Sequence, residues 1–260
     1  MPADITRLDL RLRWRSAAGY AIGMALYTLV VVALYPSFKN STSLDSLSGS
    51  TAAALFGVTG KLTSPGGWLN GNIYGNFFPL IMLMLTIGYG AAALAGQDED
   101  GTLALIAALP VRRRTIVFQK AWAMAVQALL LAATVTLCVV VGRGFQLAVS
   151  VGDAVAISVA LILMGLDFGL ITMAIGAVTG RRGTALGIAS ALAGASYLLS
   201  SLASTISAIR PGRYLSLFFW SVGNDQITRG VSLGDFTVLI VVGLCALAAS
   251  VAALRNADLN

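Results

Sequence analysis

The sequence has 260 residues, of which 57% are hydrophobic and 11% are charged, and its mean hydropathy is +0.85. A soluble domain carries about 25% charged residues because its surface must be hydrated, so an ordinary soluble domain is excluded. The net charge of +6 would suggest nucleic acid or acidic lipid as the partner of a soluble protein. In a membrane protein it reflects orientation instead, and we expect no nucleic-acid partner.

Two residue types limit the chemistry that this chain can perform. The sequence has no histidine, which removes the commonest general base and the commonest metal ligand. Its two cysteines, Cys138 and Cys245, lie within apolar runs and have no CxxC neighbour, which is typical of small packing residues. We therefore expect no catalytic residue, no metal site and no cofactor bound by this chain.

The N-terminal stretch 4–15 precedes the first long apolar run. It carries arginines ahead of a run of full spanning length, without an A-x-A cleavage site after it, so a cleavable signal is not expected. Ile5, Leu8 and Leu12 recur at helical spacing, with the arginines on another face. The pattern predicts an amphipathic interfacial helix that leads into the first span. The alternative is a frayed basic tail that only sets topology.

Six stretches are long and apolar enough to cross a hydrocarbon core of about 30 Å, which takes about 20 residues in a helix. Irregular backbone cannot face lipid, and the strands of a membrane barrel would show apolar and polar residues alternating in shorter segments. We therefore predict one all-α transmembrane domain over 1–260. The predicted spans lie at about 16–35, 77–96, 121–141, 154–179, 184–206 and 236–254.

Lysine and arginine are distributed unequally between the two sides of the predicted membrane. One side carries 11 of the 17, and the positive-inside rule makes this side cytoplasmic. Both termini and the loop 97–120 are therefore predicted to be cytoplasmic, and the loops 36–76 and 207–235 extracytoplasmic. The GVTGKL stretch of the first outer loop is not a phosphate-binding loop, because no Ser or Thr follows Lys61. The aromatic RYLSLFFW stretch of the second indicates either a hairpin that dips partly into the membrane or an interfacial anchor.

Glycines recur four residues apart within the spans, a spacing that lets helix backbones approach closely in lipid. This favours a tight bundle or a dimer and identifies no activity. The pairs are Gly19/Gly23, Gly165/Gly169, Gly176/Gly180 and Gly183/Gly187.

The densest polar stretch is GQDEDGTLALIAALPVRRRTIVFQK at 96–120. Leu103, Ile106 and Leu109 fall on one helical face, and Pro110 ends the helix. Acids at its start and arginines beyond its end suit the helix dipole. The stretch therefore predicts a short, exposed cytoplasmic helix with an apolar stripe. It is either an interfacial helix flanked by topology-setting arginines or a docking element that fits a groove on a soluble partner.

This stretch resembles the acidic-cluster, G-T-L, P-[VI]-x-R and K stretch of ABC-2-type permeases, the membrane subunits of ATP-binding-cassette exporters. Other pieces resemble the family in the same order: YPSF at 35–38, LTSPGGWLNGNIYGNFFPL at 62–80, YLSLFFW at 214–220 and LRNADL at 254–259. The resemblance thus covers nearly the whole chain. It departs at Ala104, where the family often has an acid, and at Leu217, where the family's L-S-P-F has proline.

The resemblance implies that the loop 97–120 contains a coupling helix, which in the family sits in a cleft of the nucleotide-binding subunit and carries its motion into the membrane. The stretch 4–15 would then be the family's amphipathic elbow helix. The residues to which the resemblance and the apolar stripe assign ATPase coupling are Glu99, Gly101, Thr102, Leu103, Ile106, Leu109, Pro110 and Arg113.

The sequence has no GxxxxGK[ST] motif, so we do not expect this chain to hydrolyse ATP by itself. The resemblance implies a separate ABC ATPase subunit, in two copies, which binds ATP and Mg. It also implies a second permease subunit, identical or homologous, in the lipid of a bacterial inner (cytoplasmic) membrane. The expected cargo is a hydrophobic or amphiphilic small molecule such as a drug, an antibiotic or a lipid-like compound.

Asp167 lies near the centre of the fourth span, where an ionisable group costs several kcal/mol unless it is paired, hydrated or neutralised. It lines a translocation route, binds a cationic substrate or relays a proton, or it is a protonated group that joins helices. The hydroxyls of the fifth span either wet a cavity or satisfy their own helix backbone. The candidate pathway residues are Asp167, Ser196, Ser200 and Ser204, and the same span also carries Ser190, Tyr197, Ser201 and Thr205.

Two functions of other classes remain open on the sequence. The first is an ion- or proton-coupled secondary carrier that uses Asp167 as its coupling group. The second is a non-transporting membrane anchor that recruits a cytosolic partner through residues 97–113.

Overall fold

The computed structural model describes residues 4–41, 61–102, 112–223 and 226–256. Within these ranges every structured segment is a helix, and no strand is present. The side chains left undescribed within them are those of Ser204, Thr205, Ser207, Ala208, Thr228 and Asn256.

Six long helices make up the bundle, and each contains a run long and apolar enough to cross a membrane. They confirm the predicted all-α architecture with six spans. We label them α1 (Asp4–Phe38), α2 (Pro65–Glu99), α3 (Arg113–Val141), α4 (Val151–Thr179), α5 (Arg182–Thr205) and α6 (Leu233–Asn256).

One end of the bundle gathers the start of α1, α3 and α5 and the end of α2, α4 and α6, because hydrogen bonds join residues of these termini to one another. We call it the arginine-rich end. It carries Arg7, Arg11, Arg13, Arg15, Arg112, Arg113, Arg114, Lys120, Arg181, Arg182 and Arg255.

The stretch 4–15 does not form a helix of its own, because α1 runs without a break from Asp4 to Phe38. Ile5 is buried, and its backbone N–H donates to Oε1 of Gln119 on α3 at 3.2 Å. Leu8 and Leu12 on the outer face remain exposed. The amphipathic pattern predicted from the sequence is therefore present, with one face packed on α3 and the other exposed. The stretch continues directly into the first span as part of α1.

Helix α2 begins about a dozen residues before the predicted second span. The Ser64 hydroxyl accepts a hydrogen bond from the Gly67 N–H at 3.1 Å, and Pro65 occupies the first turn, a strong start signal. The helix is α-helical over Pro65–Leu69, π-helical over Asn70–Phe77, α-helical over Phe78–Ala91, π-helical over Ala92–Gly96 and α-helical over Gln97–Glu99.

Helix α4 lies at the centre of the bundle and packs against α2, α3, α5 and α6. The closest approach is at glycines, as expected for helices in lipid. A Cβ at Gly165 would lie 2.6 Å from Cγ of Met82, and a Cβ at Gly90 would overlap the carbonyl oxygen of Gly169. Gly165 and Gly169 therefore hold α4 against α2. The pairs Gly19/Gly23 and Gly183/Gly187 instead have open space beside them.

The connection from α5 to α6 enters the bundle. It comprises a 3₁₀ helix over Ser207–Leu215 and short α-helices over Leu217–Ser221 and Gln226–Arg229. The Phe218 ring packs with centroids 6.3 Å from Phe168 of α4 and 5.3 Å from Tyr197 of α5. Phe218 is therefore buried against α4 and α5, and this part of the connection packs into the bundle.

Candidate functional site

A cavity of about 960 Å³ lies between α1, α2 and α5. Most of its lining is apolar, and its polar groups are hydroxyls and amides, without a charged side chain among the described residues that line it. The lining includes Tyr20 and Tyr27 from α1, Asn72, Asn76, Met84 and Gly88 from α2, and Ser190, Gly194 and Tyr197 from α5.

The polar groups of the cavity are held by the π-helical part of α2. The Tyr27 hydroxyl donates to the Asn72 carbonyl oxygen at 2.9 Å, and the Tyr197 hydroxyl donates to Oδ1 of Asn76 at 3.3 Å. Each asparagine amide donates to a carbonyl of its own helix, Nδ2 of Asn72 to Trp68 and Nδ2 of Asn76 to Gly71. These amides thus donate hydrogen bonds to backbone carbonyl oxygens in and beside the π-helical turns, and such turns occur often at functional sites. The result is an uncharged, hydrogen-bonding patch in an apolar cavity.

Helix α5 forms one wall of this cavity and is attached to the bundle near both ends of that wall. Toward the end opposite the arginines, the Ser216 hydroxyl donates to the Ser196 carbonyl oxygen at 2.7 Å, and the Leu217 N–H donates to Oγ of Ser196 at 3.1 Å. At the arginine-rich end, the N–H of Arg182 donates to Oε1 of Glu99 at 3.0 Å.

A buried polar cluster joins α1, α2 and α3 at the arginine-rich end. Lys120 is fully buried, and its Nζ lies 2.8 Å from Oε1 of Gln97 and 3.4 Å from Oδ2 of Asp9. The same oxygen of Asp9 accepts a hydrogen bond from the Tyr89 hydroxyl at 2.6 Å. The guanidinium of Arg13 lies over the Tyr89 ring, 4.8 Å from its centroid. Buried charges persist only when paired and hydrogen-bonded, and both conditions hold here.

Sequence reasoning missed this cluster and counted Lys120 only as a topology-setting charge. Its one signal was position: Lys120 directly precedes the apolar run of the third span, and Asp9 is one of two acids, with Asp4, in a basic stretch. Nothing in their spacing brings the two together, because the contact depends on how α1 packs against α3.

Of the residues to which coupling was assigned, Leu103, Ile106, Leu109 and Pro110 lie outside the described residues. Gly101 has a φ of +68°, a left-handed conformation that suits glycine, and it ends α2 with its N–H donating to the Asp98 carbonyl. The Thr102 hydroxyl donates to the Gln97 carbonyl at 3.2 Å.

Arg113 makes contacts within this chain that the sequence did not suggest. Its guanidinium donates to the carbonyl oxygens of Leu254 at 2.8 Å and Arg255 at 3.3 Å. A cation at these carbonyls suits the negative end of the α6 dipole. Glu99 and Arg113 both lie in the loop 97–120. Through their hydrogen bonds, this loop is connected to α5 and α6.

Asp167 does not belong to the lining of the cavity. It is 1% exposed and lies between α4 and α6, where a Cβ at Gly243 would be 2.7 Å from its Oδ1. Its Oδ2 is buried and has no hydrogen-bond partner among the described residues.

Of the serines proposed for the pathway, Ser196 and Ser200 do not line the cavity. Ser196 binds Ser216, and Oγ of Ser200 lies against Gly223, so both contact the segment that enters the bundle. The side chain of Ser204 is outside the described part. Among the hydroxyls of the fifth span, Ser190 and Tyr197 are the ones that line the cavity.

Comparison with known proteins identifies the family. Residues 3–255 match the family model described as ABC-2 family transporter protein, which covers nearly the whole chain. No curated protein matches the sequence. Together with six helices apolar enough to cross a membrane, the match makes the chain a multi-pass membrane protein. Proteins of this family are membrane subunits of ABC transporters, generally without catalysis of their own, and pair with an ABC ATPase subunit. The chain belongs to the ABC-2 family of transporter proteins.

Proposed function

We propose that this chain is the permease subunit of an ATP-driven exporter, and that the cavity between α1, α2 and α5 holds a hydrophobic or amphiphilic small molecule during its passage. The observation that carries this proposal is the cavity itself. Its volume of about 960 Å³ lies at the upper end of the range of about 300–1,000 Å³ for small-molecule pockets. Apolar walls with a few hydroxyl and amide groups suit an uncharged or amphiphilic compound, because no described lining residue offers a partner to an isolated charge.

The energy for transport comes from a separate subunit in this proposal. The arginine-rich end faces the cytoplasm by the positive-inside rule, so the loop 97–120 is presented to a soluble ABC ATPase. Two ATPase copies bind ATP and Mg and close on them, and the coupling helix of this loop transmits the movement. This chain supplies the pathway and binds no cofactor itself.

A second permease, identical or homologous, completes the pathway. Gly183, Gly187 and Gly194 of α5 have no atom within 4 Å of a built Cβ, which leaves room for close approach by another helix. The rest of the outer surface presents large apolar side chains to lipid, among them Leu26, Trp122, Leu137 and Leu244. We place the assembly in the inner membrane of a bacterial cell.

The test is purification of the native chain from its own cell, followed by reconstitution. We expect an ABC ATPase subunit to copurify, and inside-out proteoliposomes of the complex to accumulate a neutral amphiphilic dye only when ATP and Mg are added outside. Transport by the chain alone, without ATP and driven by a pH gradient, contradicts the exporter.

One observation favours a second candidate, the proton-coupled carrier. The buried Oδ2 of Asp167 has no hydrogen-bond partner among the described residues, and a carboxyl in this position is able to take up a proton. Dye transport that follows a pH gradient and is lost in Asp167→Asn would support this candidate. An intact ATPase complex that moves no tested amphiphile would favour the membrane anchor instead.

A further inference from the structure

At the start of α5, Oγ1 of Thr179 accepts a hydrogen bond from the N–H of Arg181 at 3.4 Å, and the next N–H groups need other acceptors. The first N–H groups of a helix have no intrahelical acceptor, and a Ser, Thr, Asp or Asn usually satisfies one of them. Ser64 does so for α2, whereas the residue before α5 is Arg181, whose side chain makes no capping hydrogen bond. The N–H of Arg182, the first helical residue, therefore takes its acceptor from another part of the fold.

Glu99 supplies that acceptor from α2. Its Oε1 accepts a hydrogen bond from the N–H of Arg182, the first residue of α5, at 3.0 Å. A carboxylate at this position also interacts favourably with the positive end of the helix dipole. The neighbouring Asp98 faces the same turn, since a Cβ at Gly180 would lie 3.2 Å from its Oδ2. The acidic cluster thus contacts the junction between α4 and α5 within the chain.

The position of Glu99 joins the end of α2 to the start of α5, where Gly96 of α2 also packs against the Arg182 side chain. Glu99 is the last helical residue of α2, four residues before the undescribed part of the loop 97–120. Arg182 is the start of the helix whose residues from Leu186 to Tyr197 line the cavity. One hydrogen bond therefore joins the loop that the ATPase would contact to a wall of the cavity.

The loop is also tied to the opposite wall, at a different residue. Gln97, two residues before Glu99, accepts a hydrogen bond from Nζ of Lys120, which pairs with Asp9 of α1. Helix α1 lines the cavity with Tyr20 and Tyr27. The Gln97 link is partly buried and leads to the buried ion pair of Lys120 with Asp9, whereas the Glu99 link is a single exposed hydrogen bond. The Glu99 link is thus the weaker of the two, because it is exposed and has no ion pair behind it.

We propose that Glu99 is a positioning residue, which holds the start of α5 to the coupling loop, so that loop movement changes the cavity through α5. The proposal rests on the proposed function. It differs from the role that the family resemblance implied, coupling to the ATPase subunit, because here the Glu99 carboxylate acts on this chain's own fifth helix.

Three variants separate this role from a general charge effect. Glu99→Ala removes the acceptor, Glu99→Gln keeps a carbonyl oxygen at the same reach, and Asp100→Ala removes one negative charge from the same cluster. Asp100 is exposed, and no hydrogen bond or ion pair of its side chain is found in the described part of the chain, which makes it the matched control.

The experiment measures dye transported per ATP hydrolysed by the reconstituted complex. We expect Glu99→Ala to keep the ATPase bound and to lower the transport ratio by about fivefold, because the loss of one helix cap changes a folding equilibrium constant by about that factor. Glu99→Gln should recover most of the ratio, and Asp100→Ala should match wild type. The proposal is overturned by an unchanged ratio in Glu99→Ala, by equal effects of Glu99→Ala and Asp100→Ala, or by a Glu99→Gln variant as impaired as Glu99→Ala. It is also overturned if Glu99→Ala releases the ATPase, because Glu99 would then bind the partner.

A second measurement does not depend on transport. Hydrogen exchange of the chain alone in detergent reports the opening of the Arg182 amide. We expect exchange at the start of α5 to rise about fivefold in Glu99→Ala and to stay unchanged in Asp100→Ala. A wild-type complex that shows no ATP-dependent transport would contradict the proposed function, while this exchange result would still decide whether Glu99 holds α5. Unchanged exchange in Glu99→Ala overturns the positioning role.

Discussion

The ammonium group of Lys120 lies 3.4 Å from the carboxylate of Asp9, and both side chains are buried between α1 and α3. Removing one member of a buried ion pair leaves the other as an uncompensated charge, which costs far more than the pair contributes as a whole. The pair therefore makes the junction of α1 with α3 sensitive to single substitutions at either position.

We expect Lys120→Met to destabilise the chain by about 3–5 kcal/mol, because Asp9 remains buried without its cation. Thermal unfolding in detergent measures the loss. The double variant Asp9→Asn with Lys120→Met should regain part of it, since neither charge then remains. Lys61→Met, at an exposed lysine, is the control and should change stability by less than about 0.5 kcal/mol. A single variant as stable as the control would show that the pair does not hold the junction.

Gly90 and Gly88 provide a matched pair on α2 for testing how closely α2 and α4 pack. A Cβ at Gly90 would overlap the carbonyl oxygen of Gly169, whereas a Cβ at Gly88 would have no atom within 4 Å. We expect Gly90→Ala to destabilise the bundle by about 1–3 kcal/mol through overpacking. Gly88→Ala should be neutral or stabilising by up to about 1 kcal/mol, because alanine favours the helix. Equal unfolding temperatures for the two variants would contradict the close approach.

A bulky residue at Gly88 should block the cavity without disturbing the fold. Gly88 lines the cavity and has space beside it, so Gly88→Trp projects an indole into the proposed pathway. We expect this variant to fold, to retain ATPase activity in the complex and to lose most dye transport. Gly23→Trp is the control, because Gly23 of α1 is also open but does not line the cavity. Full transport by Gly88→Trp would place the pathway elsewhere.

Asp167→Asn tests whether the buried carboxyl takes part in transport. Asparagine keeps the shape of the side chain and cannot ionise, and Asp167 is not among the cavity-lining residues. We expect the variant to retain ATP-driven dye transport and stability close to wild type. Asp153→Asn, near the start of the same helix, serves as the control. Loss of transport in Asp167→Asn alone, with the ATPase complex intact, would favour the proton-coupled carrier.

The six spans were predictable from the sequence because length and hydropathy alone select helices in a bilayer. The start of α2 was not, although its signals were present in Ser64 and Pro65. A span was expected to begin where continuous hydropathy begins, and the polar Asn70–Phe77 stretch hid the capped start before it. The π-helical turns of α2 were also missed, because they depend on packing rather than on composition.

The candidate site was predictable only in its general location. The polar stretch 96–120 marked the loop, but the roles of Glu99 and Arg113 depend on which helix ends lie nearby. Apolar surfaces of several helices make the cavity, and no short motif encodes it. Ser196 illustrates the limit, because a hydroxyl in an apolar span indicates a hydrogen bond without telling whether water, substrate or Ser216 is the partner.

Helix α5 is hydrogen-bonded to the rest of the bundle at Arg182 and at Ser196, so a movement at Arg182 would turn the helix about Ser196. Arg182 and Ser196 are 14 residues apart, which is about 21 Å along a helix that rises 1.5 Å per residue. If α5 stays straight and turns about Ser196, a displacement of about 1 Å at Arg182 moves Leu186 by about 0.7 Å and Ser190 by about 0.4 Å. A shift of the loop would therefore change the width of the cavity unevenly, most at the arginine-rich end and least beside Tyr197.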